Sequence, residues 1–140
     1  METEDGLARR LHYVALIGAA IVMVAVAPAW GHQIASNNGV SVQVHVNPND
    51  EPVAGIATTI WVVRVKALKA TFAWTTCRCR LEVFDSSGTP VLNSAAKVPR
   101  TPVTFPEAKA YGINFSGRVK RNGVWRPFKV SYAIRASAPE

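Results

Sequence analysis

The feature that most narrows what this chain can fold into is alternation. Over Cys77-Arg78-Cys79-Arg80-Leu81-Glu82-Val83-Phe84, both cysteines, Leu81 and Val83 fall on one side of an extended chain, and Arg78, Arg80 and Glu82 on the other. That is the period-two signature of a strand with one buried face. Residues 39–46 repeat it, with Val40, Val42, Val44 and Val46 on one face and Ser41, Gln43 and His45 on the other. Residues 128–135 do so again, with Phe128, Val130, Tyr132 and Ile134 on one face. Such spacing buries one side of a sheet and cannot form the apolar stripe of a helix.

The intervening segments supply more strands and the turns between them. Residues 56–66 are apolar on both sides for several positions, as a central strand can be. Asn47-Pro48-Asn49-Asp50-Glu51-Pro52 and Asp85-Ser86-Ser87-Gly88-Thr89-Pro90 carry turn chemistry. Residues 66–74 fit a short helical turn or a loop equally well, and Val91-Leu92 reads as a short strand. Pro99, Pro102 and Pro106 confine residues 98–105 to an edge or irregular strand. Residues 111–117 put Tyr111, Ile113 and Phe115 on one face, and Arg121-Asn122-Gly123 gives a hairpin-type turn. About seven short strands, with no convincing helix beyond the N-terminal segment, predict an all-β, immunoglobulin-like antiparallel β-sandwich. At about 1.5–3 kcal/mol for each large apolar side chain fully buried, these inner faces can support a domain without a disulfide.

The N-terminal 31 residues read differently. Arg9-Arg10 precedes an uncharged apolar run over residues 13–27, which closes in Ala27-Pro28-Ala29-Trp30-Gly31. A positive region, an apolar region and small residues before a cleavage point describe a secretory signal peptide. Ala27 and Ala29 permit cleavage before Trp30, and Ala29 and Gly31 before His32. The rival is an uncleaved hydrophobic anchor helix: residues 11–29, at about 1.5 Å each, nearly cross a core of roughly 30 Å. Either way, residues 32–140 form the domain and lie outside the cytoplasm, periplasmic or tethered to the membrane.

Charge narrows the partners. Setting aside residues 1–31 removes two of the 16 basic and three of the nine acidic residues, so the domain keeps 14 and six, a net charge of +8. A basic domain can bind nucleic acid, an anionic membrane or an acidic protein. The chain carries no motif of the common nucleic-acid modules, and an exported protein seldom meets such a partner. Acidic protein and membrane surface remain. The candidate surface is Arg118, Lys120, Arg121, Arg126 and Lys129 around a hairpin bearing Trp125; the alternative is a solvated turn with Trp125 folded onto the sandwich.

Cys77 and Cys79 leave three readings open. Two residues apart on a strand, their Cα atoms would lie about 6.5–7 Å apart, at the limit of the usual disulfide range of roughly 4.4–6.8 Å. They could be a disulfide, a thiolate pair for Cu(I), or two small buried hydrophobes. His32 and His45 are candidate ligands for Cu(II), or solvated histidines. Catalysis has little support: the acids form no paired spacing, and no Gly-x-Ser-x-Gly, His-Glu-x-x-His or phosphate loop occurs, which leaves only a site assembled from separated residues. The expected function is a non-enzymatic exported binding or accessory module at the periplasmic or outer face of the membrane. The alternative is a periplasmic copper-binding protein using His32 and His45, with Cys77 and Cys79.

Residues 106–117, Pro-Glu-Ala-Lys-Ala-Tyr-Gly-Ile-Asn-Phe-Ser-Gly, resemble the penultimate strand of many exported immunoglobulin-like modules. With the N-terminal histidine-bearing strand and Glu51-Pro52-Val53-Ala54-Gly55, the layout of residues 32–136 is similar to YtkA-like and CopC-like periplasmic sandwiches. It also resembles small exported cyanobacterial proteins of unassigned role with a Cys-x-Cys strand. The resemblance implies a sandwich outside the cytoplasm. Its CopC-like branch implies a copper site at the mature N-terminal histidine, a role His32 could match if cleavage falls immediately before it.

Overall fold

The computed structural model describes residues 33–97 and 99–140; the leader, His32 and the boundary drawn between them lie outside the described residues. Eight strands follow in order: β1 (Gln33–Asn37), β2 (Val40–Val46), β3 (Ala57–Ala67), β4 (Arg80–Asp85), β5 (Pro90–Ala95), β6 (Arg100–Thr104), β7 (Ala110–Arg121) and β8 (Val124–Arg135). They form two antiparallel sheets, ordered β1-β2-β3-β6 and β5-β4-β7-β8. Among the described residues there is no helix.

The alternating faces meet in one apolar core. Val40, Val42, Val44 and Val46 of β2 and Ile60 and Val62 of β3 oppose Leu81 and Val83 of β4, Tyr111, Ile113 and Phe115 of β7, and Phe128, Val130, Tyr132 and Ile134 of β8. The Tyr132 hydroxyl crosses between the sheets and donates to the Val42 carbonyl at 2.7 Å. Burial holds that phenol well above its ordinary pKa.

Three expectations are corrected. The cysteine strand begins at Arg80, because a turn at residues 74–76 and left-handed Arg78 (φ 49°) keep residues 77–79 from extending. A strand unread in the sequence, β1, precedes β2; Asn38 and Gly39 (φ 50° and 75°) join them as a two-residue turn with both φ positive, the geometry that matches strand twist. Val91-Leu92 belongs to a longer strand, β5. Lys66 and Ala67 end β3, turns follow at residues 68–69 and 74–76, and among the described residues β6 is an edge strand paired only with β3.

The two ends of the sandwich differ. At one, the Asn38-Gly39 turn, the turn after β3 and the β7–β8 hairpin turn at Asn122-Gly123 come together. The Leu68 N–H donates to the Gly39 carbonyl at 2.8 Å, and Arg121 Nη2 donates to the Asn38 carbonyl at 3.0 Å. At the other, residues 52–55 join Phe105 and Ser137 through backbone bonds. There the Tyr111 hydroxyl closes a corner on Glu107, donating to its carbonyl at 2.9 Å and accepting its N–H at 3.1 Å.

Candidate functional site

Charge is sorted along the strand axis. The segments 36–41, 64–72 and 116–131, which meet at the first end, hold eight of the 14 basic residues beyond position 31 and no Asp or Glu. Asp50, Asp85 and Glu107 sit at or beside turns of the opposite end. There Lys109 pairs with Asp85 (3.0 Å) and Glu107 (2.8 Å), and His45 Nδ1 lies 3.0 Å from Asp50 Oδ1. The Ser87 hydroxyl, the Lys109 ammonium and the Thr89 N–H hold the Asp85 carboxyl well below the usual carboxylate range. Glu107 and Asp85 push Lys109 above its ordinary value.

Apolar side chains are exposed at the basic end. Leu68 is 69% exposed, Val124 50% and Trp125 37%. Register divides the surface expected from the sequence into two sides. Arg118, Lys120, Trp125 and Lys129 lie on the outer face, since Arg118 pairs with Pro127, Lys120 with Trp125, and Ser116 with Lys129. Arg121 and Arg126 project to the opposite side, paired with Val124 and Val119. Trp125 is not folded onto the core. Its ring lies under the Arg118 guanidinium, 4.1 Å from the centroid, with Lys120 Nζ at 5.8 Å, and Arg118 Nε also donates to the Thr76 carbonyl at 3.1 Å. Leu68, Lys69 and Val124 belong to this end and were not singled out from the sequence.

Nearby, a cleft of about 520 Å³ opens between the segment before β4 and the residues after β5; Trp74, Arg78, Cys79, Arg80, Ala96 and Lys97 line it. Cys77 and Cys79 are joined by a disulfide with Cα atoms 5.0 Å apart, closer than in an extended strand because left-handed Arg78 folds the chain between them. Both cysteines are buried, and the ring is pinned by backbone bonds from Arg118 N–H to the Cys77 carbonyl (2.9 Å) and Ala96 N–H to the Cys79 carbonyl (2.8 Å). Gly117 lies beneath it: a Cβ there would sit 2.7 Å from Cys79 Sγ. Closing three residues stabilises a fold by only about 1.6 kcal/mol on the chain-entropy argument, against about 3 for a 15-residue loop. The bridge is a weak global staple; its main effect is local, on Arg78.

Of the copper candidates, His32 lies outside the described residues, and His45 is not brought together with Cys77 and Cys79. His45 stands beside Asp50, whose Oδ1 also accepts the Val46 N–H at 2.6 Å, and its ring meets Trp61 edge-on at 6.4 Å. Val44 and Val46, which flank it, gather with Ile113, whereas Cys79 packs on Gly117, about 13 Å further along β7. Sulfurs bonded to each other offer no thiolate. Among the described residues no group of three His, Cys, Asp or Glu side chains could hold a metal ion.

Comparison with protein-family models, with curated proteins and with solved structures finds no match to this chain.

Proposed function

We propose that the chain is an exported, non-enzymatic binding module of immunoglobulin-like architecture that docks its basic end onto an anionic membrane surface. The observation that carries the reading is the tip itself: Leu68, Val124 and Trp125 are exposed at one end, on segments that carry eight cations and no acid. Exposed apolar side chains ringed by Lys and Arg suit the boundary between headgroups and acyl chains, where Trp is favoured. Each cation near such a surface contributes about 1 kcal/mol, so Lys69, Lys120, Arg121 and Arg126 together supply roughly 4 kcal/mol at low salt.

Two features support the immunoglobulin-like part. The Tyr111 corner stands at the start of the penultimate strand, with its hydroxyl bonded to backbone four residues upstream, as in the tyrosine corner of such sandwiches. The order β8-β7-β4-β5 follows the G-F-C-C′ sheet, and β2-β3-β6 follows A-B-E, with β1 added at the edge. Because β1 begins at Gln33, opposite Val44, the chain enters the domain away from the tip. Tip docking therefore belongs to the form released from its leader.

The test is co-sedimentation of the exported protein with phosphatidylglycerol-containing vesicles and with phosphatidylcholine vesicles. Binding should require the anionic lipid, vanish at high salt, and weaken about tenfold in L68S/V124S. Binding to polyglutamate with none to vesicles would replace the membrane by an acidic protein partner; binding to neither would overturn the reading.

A further inference from the structure

We propose that the cleft beside the Cys77–Cys79 ring binds a flat organic anion: a carboxylate or phosphate carried on an aromatic or similarly planar body. This goes beyond membrane docking and stands on different residues. The volume, about 520 Å³, falls in the range of small-molecule sites. The lining has two chemistries. Arg78, Arg80 and Lys97 bring three cations, and among the described residues no acid lines the cleft. Trp74, Ala96 and Cys79 give an apolar wall on which a planar group can lie.

The cations are also held in place. Arg80 Nη1 donates to the Asn93 side-chain oxygen, which orients its guanidinium along β4. Arg78 is the single residue enclosed by the disulfide, and its left-handed backbone (φ 49°) is one that a non-glycine residue rarely adopts unaided. The ring, anchored on both carbonyls, keeps Arg78 directed to the cleft. A guanidinium presented this way recognises a planar oxyanion through paired N–H donors and loses little freedom on binding. The Cys-x-Cys bridge is thus a positioning device for an anion-binding arginine.

The experiment is amide-resolved NMR titration of the full-length protein with phenyl phosphate, benzoate, inorganic phosphate and benzyl alcohol. Phenyl phosphate and benzoate should shift the amides of Thr75, Arg78 and Lys97 saturably, inorganic phosphate should bind about fivefold more weakly, and benzyl alcohol should not bind. Arg78→Ala and Lys97→Ala should each weaken binding about tenfold. Reduction of the bridge in the otherwise folded protein, followed in the same spectra, should weaken it about threefold. Lys69→Ala, which lies in the membrane-docking tip, should change nothing here, so the two readings fail separately. Absence of saturable shifts to about 20 mM, or affinity unchanged in Arg78→Ala and Lys97→Ala, would overturn the site. Equal binding of inorganic and phenyl phosphate would overturn its apolar half.

Discussion

Removing one oxygen from Tyr111 isolates what the corner contributes. The residue is 2% exposed, and its ring centroid is 5.0 Å from that of Phe105. Its hydroxyl donates to the Glu107 carbonyl and accepts the Glu107 N–H. Tyr111→Phe keeps the ring and deletes both bonds, leaving no cavity of consequence. A typical intramolecular hydrogen bond contributes about 0.5–1.5 kcal/mol net, so the loss should be about 1–3 kcal/mol. For a domain of this size 2 kcal/mol lowers Tm by roughly 10 °C. Urea unfolding followed by tryptophan fluorescence measures it, with an unchanged m-value expected because the buried surface is the same. The corner also holds the loop carrying Lys109, which reaches back to Asp85. A double-mutant cycle of Tyr111→Phe with Asp85→Asn should therefore show coupling. A loss below about 0.5 kcal/mol would mean that water replaces the hydroxyl at no cost, and would refute the corner as an anchor.

Asp85 gives a pH prediction. Its carboxyl is held below the unfolded value near 4, so the ionised form stabilises the fold above that pH, and the contribution is lost as pH falls through the folded value. Urea midpoints against pH should fall more steeply below about pH 4 in the native protein than in Asp85→Asn. At Gly117, valine would meet Cys79 Sγ, Phe128 and the Cys77 carbonyl; Gly117→Val should destabilise by about 1–3 kcal/mol in the same assay, and unchanged stability would show that the ring can move aside.

The inward faces were legible because a sheet with one buried side writes its period directly into the sequence. Val40 to Val46 and Phe128 to Ile134 needed nothing else. The first strand was not, since Gln33–Asn37 carries one large apolar residue, Ile34, and that residue faces solvent; only the Asn38-Gly39 dipeptide signalled the hairpin. The cysteine segment misled for a different reason. Alternation puts both cysteines on one side whether the chain between them is extended or folded back, and what folds it is a set of partners, Arg118 and Ala96, far off in sequence. The basic run at residues 118–129 was visible as a cluster, but only strand register parts Arg121 and Arg126 from Arg118, Lys120 and Lys129. Leu68 and Lys69 join that surface through one backbone bond to Gly39, which no local pattern encodes.

Separation of charge along the strands lets the two ends take different roles. The strand β7, Ala110–Arg121, runs from the acidic end to the basic one, about 36 Å at 3.3 Å per residue. That is several times the screening length of roughly 8–10 Å at ordinary salt, so neither end neutralises the other. At the acidic end, charges face partners within hydrogen-bond distance: Lys109 bridges Asp85 and Glu107, and Asp50 meets His45. Those contacts hold loops. Among the described residues the segments of the basic end carry no carboxylate, and Arg118 and Lys120 stack on Trp125 instead. Cation–π contacts leave a cation its full charge while ordering its position. The field of that end is therefore directed outward, where an anionic surface can meet it. Charges gathered this way repel one another and weaken the folded state unless something outside compensates. The apolar tips beside them would gain from burial in the same encounter.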